Sequence, residues 1–67
     1  MEIEWTAAKD YSHYTTLEGK WVLIAAPSQG YFRWLLHGPG FFEEIKTKGG
    51  LYAALDIATE VVKNITA

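Results

Sequence analysis

The chain has 67 residues, of which 49% are hydrophobic and 15% aromatic, and it contains no cysteine. A chain of this length forms one domain, residues 1–67, and buries only about 60% of its unfolded surface, so packing alone has to stabilise it. The apolar content excludes a disordered chain, and a net charge of −2 argues against a general binder of polyanions.

The amino-terminal third is the least regular part of the sequence. Ile3 and Trp5 alternate with two glutamates, which predicts a short strand at the start. Residues 6–18 are polar and irregular, and a further strand is indicated near residues 14–17.

No targeting segment is apparent. Acidic residues stand where a signal peptide has basic ones, and the longest apolar runs fall far short of the ~20 residues that a membrane helix needs. We therefore expect a cytoplasmic protein without a membrane partner. Because the chain begins at a methionine and ends just behind a predicted helix, we also expect a complete small reading frame.

A β-hairpin is predicted in the middle of the chain. Residues 20–26 and 31–37 are rich in β-branched and aromatic side chains, and Pro27-Ser28-Gln29-Gly30 between them has the composition of a turn. A four-residue loop would place three pairs on one face: Ala26 with Tyr31, Ile24 with Arg33, and Val22 with Leu35. Gly38-Pro39-Gly40 fits a type II turn and leads into a third strand from Phe41 to about Lys46.

An amphipathic helix is predicted over residues 49–65, with Thr47 as its N-cap. Its apolar stripe consists of Leu51, Ala54, Leu55, Ala58, Val61, Val62 and Ile65. Its polar arc consists of Tyr52, Asp56, Thr59, Glu60 and Lys63.

These elements predict an α+β fold. An antiparallel sheet of three to four strands would carry one C-terminal helix on one face, in the order β(β)ββα. We assign to the helix-covered face the hairpin side chains that include no charge: Trp21, Leu23, Phe32, Trp34 and Leu36. Phe41 and Ile45 are expected to join them.

Catalytic groups are sparse. Ser12 and His13 are adjacent, and side chains of neighbouring residues on an extended segment point apart, so they do not predict a triad. Glu43 and Glu44 would face opposite sides of a strand. Asp10, His13 and Glu18 match no metal-ligand spacing. We therefore expect no enzymatic activity, no metal and no cofactor.

A resemblance in architecture connects the chain to nucleic-acid-binding domains. Gly19-Lys20-Trp21, Arg33-Trp34-Leu35 and the alanine spacing of the helix resemble the sheet-reading βββα domains of plants and of phage integrases. Those domains read DNA with an arginine-rich sheet face, whereas the comparable face here has one permanent positive charge, that of Arg33. The resemblance implies weak nucleic-acid binding as an alternative function, and we expect nucleic acid to be an unlikely partner.

The most informative feature is that both faces of the predicted hairpin are apolar. A sheet with one helix normally has polar residues on its other face. Two covers are consistent with the sequence: residues 6–17 folded over the face, or a partner, which is a second copy or another protein. We predict a protein-binding module of the regulator or inhibitor type. Its partner-binding residues would be Val22, Ile24, Tyr31, Arg33, Leu35 and His37.

Overall fold

The chain forms an antiparallel sheet with one helix packed on one side. The structure, a computed structural model, describes residues 3–28 and 31–66, and it describes only the backbone of residues 27, 28, 31 and 32. The strands are β1 (Thr6–Ala7), β2 (His13–Thr16), β3 (Trp21–Ser28), β4 (Tyr31–Gly38) and β5 (Phe41–Thr47), and they are followed by α1 (Gly50–Thr66). Each strand pairs with the next one in the chain, so the order in the sheet is β1-β2-β3-β4-β5.

This architecture confirms the predicted α+β class and corrects the number of strands, which is five rather than three or four. The difference lies before β3. Ile3 and Trp5, predicted as a strand, precede β1 and pack against the core instead. Alternating apolar residues show that one side of a segment is buried, but they do not show whether the segment bonds to a sheet edge.

The register of the β3–β4 hairpin differs by two residues from the predicted one. Ser28 pairs with Tyr31, so two residues connect the strands rather than four, and these two residues, 29 and 30, lie outside the described residues. The predicted pairs are therefore wrong, and the observed ones are Val22–His37, Ile24–Leu35 and Ala26–Arg33. Because side chains alternate with a period of two, a shift by two residues leaves each side chain on its predicted face.

The core lies between α1 and the sheet. Its buried side chains from the sheet are Trp21, Leu23, Trp34, Leu36 and Ile45, and those from the helix are Ala54, Ala58 and Val62. This confirms the predicted face assignment, except at Phe32, whose side chain lies outside the described residues. Phe41 packs against this core with its ring 5.5 Å from that of Trp21. The small side chains of Ala54 and Ala58 let the helix approach the sheet closely.

The helix departs from its predicted description at three positions. It begins at Gly50, whose φ of +80° suits glycine, and the Thr47 hydroxyl accepts a hydrogen bond from the Gly49 amide (3.0 Å), just before the helix. Thr47 therefore caps the preceding turn and not the helix itself. Ile65, predicted in the apolar stripe, is exposed.

The third position is Thr59, which was predicted on the polar arc. Its hydroxyl is partly buried, accepts a hydrogen bond from Trp5 Nε1 (2.9 Å) and donates one to the Leu55 carbonyl (2.7 Å). Trp5 thus ties the amino-terminal segment to α1 beside the core. Within residues 3–28 and 31–66, no helix has the length and apolar content needed to cross a bilayer.

Candidate functional site

The face of the sheet away from α1 is the candidate site, and we call it the open face. Its side chains alternate along the strands with those of the core. They are His13 and Thr15 of β2, Val22, Ile24 and Ala26 of β3, Arg33, Leu35 and His37 of β4, and Phe42, Glu44 and Lys46 of β5. The sequence offered residues 6–17 as a cover, but this segment extends the sheet sideways as β1 and β2 with the turn between them. Among the described residues, the open face is therefore uncovered.

The centre of the open face is apolar. Ile24 is 39% exposed and Phe42 is 59% exposed, while Val22 and Leu35 are partly buried between their neighbours. Ile24 pairs directly with Leu35 across the β3–β4 ladder, so their side chains lie side by side. Exposed aliphatic and aromatic side chains that adjoin one another on strands are typical of a binding surface.

Charged groups occupy one flank of this face, on β4 and β5. Arg33 Nη2 lies 2.9 Å from Glu44 Oε2, and Lys46 Nζ lies 3.6 Å from the other carboxylate oxygen. Within the part of the chain that the structure describes, Arg33 Nε is buried and has no hydrogen-bond partner. The guanidinium is therefore held in place by Glu44 while one of its donors remains unsatisfied.

At the other end of β4 and β5, His37 lies against Phe42. Their ring centroids are 5.1 Å apart with the planes nearly perpendicular, at 84°. The edge-to-face contact orients the imidazole on the exposed aromatic ring. The open face therefore combines an apolar centre, an ion-paired flank and a histidine with a fixed ring.

The predicted partner-binding residues come together on this face, except for Tyr31, whose side chain lies outside the described residues. Val22, Ile24, Arg33, Leu35 and His37 all contribute side chains to it, whereas only the backbone of Tyr31 is described. The predicted set of partner-binding residues did not include Glu44, Lys46 and His13. The pairing of β5 with β4 and of β2 with β3 brings these three residues to the face. The turn at residues 38–40 indicated the first of these pairings, but its register and the pairing of β2 had no clear local signal.

A second polar cluster lies in the turn before β2, next to the open face. The hydroxyl of Ser12 lies 2.7 Å from Asp10 Oδ1 and 3.1 Å from His13 Nδ1. The prediction that Ser12 and His13 point apart was wrong, because Ser12 lies in a bend and the extended strand begins only at His13. The hydroxyl and amide of Ser12, which both donate to Asp10, hold the pKa of that carboxyl below its usual 3.8.

The hydrogen-bond pattern of this cluster is not that of a catalytic triad. Ser12 donates to the carboxylate, which is a stronger acceptor than the imidazole, so His13 is not positioned to remove the serine proton. The carboxylate orients the serine and not the histidine. Among the described residues, the cluster lines neither of two open grooves, of about 500 and 610 Å³, that flank the β2–β3 turn. Its observed role is to close the turn between β1 and β2.

The acidic residues singled out from the sequence are dispersed. Glu43 pairs with Leu36 and Glu44 with Leu35, so the two carboxylates leave the sheet on opposite faces, as predicted. Across the described ranges, no three histidine, aspartate or glutamate side chains gather in a way that could hold a metal ion. The structure thus does not bring Glu18 together with Asp10 and His13.

Comparison with protein-family models, with curated proteins and with solved structures finds no match for this chain.

Proposed function

We propose that this protein is a non-enzymatic protein-binding module that acts through its open face. The observation that carries the proposal is the exposure of Ile24 and Phe42 at the surface of a sheet whose other face is already filled by α1. An antiparallel sheet covered once is expected to present polar side chains to water, and departures from that pattern mark contact surfaces. A small regulator or inhibitor that masks another protein, or a protein that dimerises, would use such a face.

The polar groups on the face supply specificity. Arg33 is ion-paired with Glu44, its Nε has no hydrogen-bond partner among the described residues, and the His37 ring lies against that of Phe42. Fixed side chains lose little conformational entropy when a partner binds. Arginine and aromatic residues in an apolar surround are also the residue types that contribute most to protein interfaces.

The packed core behind the open face keeps the backbone of this face rigid. Leu23 and Leu36 are fully buried directly beneath the strands that carry Ile24 and Leu35. Sites built on packed strands keep their geometry better than sites built on loops. Residues that stabilise the domain and residues that would bind a partner therefore alternate along the same strands.

Two isoleucines of nearly equal exposure provide a matched test. Ile24, 39% exposed, lies on the open face, and Ile57, 40% exposed, lies on α1. In a pull-down from the source cell, we expect Ile24→Lys to lose the proteins that the wild-type chain captures, because a lysine there would have to be desolvated. Ile57→Lys should still capture them. Equal capture by both variants, with folding verified by circular dichroism, would contradict the proposal.

Weak nucleic-acid binding is the alternative function that the sequence suggested. The salt dependence of its affinity distinguishes it from protein binding. The cations Arg33 and Lys46 both lie against Glu44, which offsets part of their charge. At about 0.15 M salt, we expect binding to duplex or single-stranded oligonucleotides to be no tighter than roughly 10⁻⁴ M. Sub-micromolar binding with a steep salt slope would replace the protein-binding proposal with this alternative.

A further inference from the structure

The side chains of the open face are arranged so that the face is complementary to itself. Three rows cross it at right angles to the strands. The middle row reads His13, Ile24, Leu35 and Glu44. Its two aliphatic side chains lie at the centre, on β3 and β4, and its two polar side chains lie at the flanks. A row of this kind matches its own reverse, which is the property that a two-fold interface requires.

The polar and charged groups on the two flanks also follow opposite orders. On β5, Lys46 is followed by Glu44 towards the other end of the sheet. On the β2 flank, from the same end of the sheet, the carboxylate of Asp10 is followed by the imidazole of His13. The Ser12 hydroxyl lies between these two groups and contacts both. The turn that carries Asp10 lies beyond His13, at the same end of the sheet as Lys46, and His13 lies in the same row as Glu44. Each flank therefore carries, in the same order along the strands, groups complementary to those on the other flank.

We propose that the partner of the open face is a second copy of this chain, an inference that rests on the proposed function. The two copies are related by a two-fold axis that lies between the two sheets, parallel to the strands and above the boundary of β3 and β4. This axis lays β5 of one protomer over β2 of its partner and β3 over β4. It sets Ile24 against the partner's Leu35, Glu44 against the partner's His13, and Lys46 against the partner's Asp10. Two twisted sheets pack in this manner with their strands about 30° apart.

The size of the open face limits how tight such a dimer can be. With about 4.8 Å between strands and about 3.3 Å per residue, the four strands that this axis superposes, β2 to β5, cover roughly 430 Å² in projection. Side chains that stand up from the sheet raise its accessible area above that projection. A standard interface buries about 800 Å² per partner, so the face lies at the small end of the range for specific dimers, for which we expect a dissociation constant in the micromolar range.

Sedimentation equilibrium on charge-reversal variants tests the geometry. The wild-type chain should approach twice its 7.5 kDa mass as its concentration rises above the micromolar range. Lys46→Glu faces the partner's Asp10 with a like charge at two symmetric positions and should weaken the dimer about tenfold, as should Asp10→Lys. The double variant Lys46→Glu/Asp10→Lys restores opposite charges and should recover the wild-type dissociation constant to within about threefold. Lys63→Glu, on the exposed side of α1, makes the same change in net charge and should have no effect.

Two results would overturn the dimer while leaving the proposed function standing. One is a wild-type monomer at all concentrations whose captured proteins are still lost with Ile24→Lys. The other is a dimer weakened equally by Lys46→Glu and Lys63→Glu, or a double variant no tighter than its single variants, since either places the interface elsewhere. A monomer whose capture of proteins is the same in Ile24→Lys and Ile57→Lys contradicts both proposals.

Discussion

The two faces of the sheet are made by the same strands and have opposite properties. On the helix-covered face, Leu23 and Leu36 are completely buried, and the small side chains of α1 bring the helix close above them. On the open face, the neighbouring residues Ile24 and Leu35 are apolar as well, yet no described element packs on them. Apolar side chains on the first face stabilise the fold, and those on the second are available for binding.

Adjacent residues of β4 show the largest expected difference between the faces. Trp34 is in the core, and Trp34→Ala should lower the free energy of unfolding by about 3–5 kcal/mol, because it leaves a cavity under α1. For a domain of this size that is most of the stability, so the variant should be largely unfolded. Leu35→Glu, one residue further along and on the open face, should stay folded and lose partner binding or dimerisation. Circular dichroism and light scattering measure the two effects.

The reverse result would invert the face assignment. If Leu35→Glu unfolds the chain and Trp34→Ala does not, the covered face is the one that carries Leu35. If both variants unfold, the chain itself covers both faces, and the proposed binding surface does not exist.

The end of β4 provides a smaller comparison. A Cβ added at Gly38 would overlap the ring of Trp21, which packs directly over the glycine. Gly38→Ala should therefore lower the free energy of unfolding by about 1–3 kcal/mol through overpacking. His37→Ala, the preceding residue on the open face, should change it by no more than about 0.5 kcal/mol. Urea denaturation of both variants tests this contrast, and equal effects would show that the Trp21 ring does not constrain Gly38.

The hydrogen bond between Trp5 and Thr59 should contribute less to the free energy of unfolding than the packing at Gly38 does. Thr59→Val keeps the shape of the side chain but removes the acceptor of the indole N–H, so we expect a loss of about 1 kcal/mol. Trp5→Phe in a double-mutant cycle isolates the pair, and a coupling energy near zero would contradict the bond. This contact joins the amino-terminal segment to the helix-covered side, and removing it should leave binding by the open face unchanged.

The smallest expected effect is a change in the titration of Asp10. Because Ser12 donates two hydrogen bonds to its carboxylate, the pKa of Asp10 is lower in the folded chain than its usual 3.8. A lowered pKa in the folded state adds stability that is present above about pH 3.8 and is lost as the pH falls through the folded value. Ser12→Ala should raise the pKa of Asp10 towards 3.8, as NMR titration of the carboxyl carbon would show. An unchanged pKa would mean that the turn does not hold Ser12 against Asp10.

Local sequence patterns were sufficient to predict the elements whose apolar residues recur with a strong periodicity. The spacing of apolar residues in α1 and the alternation along β3 and β4 predicted which side chains enter the core, including Trp21 and Ile45. The two-residue error in register did not disturb this assignment, because alternation has a period of two. The same alternation showed that the second face is apolar, which is the basis of the predicted binding residues.

Long-range pairing decided the remaining features. The short, largely polar β2 has no local signal strong enough to show that it joins β3 as a sheet strand, so the sequence left open whether that segment covers the open face. Glu44 and Lys46 reach the flank beside Arg33 only through the pairing of β5 with β4. The sequence by itself determined which residues are apolar and on which side of each element they lie, since both follow from local geometry. Only the tertiary structure decided the register of the β3–β4 pair and the addition of β1 and β2 to the sheet, because cross-strand hydrogen bonds and charge pairs depend on contacts between elements.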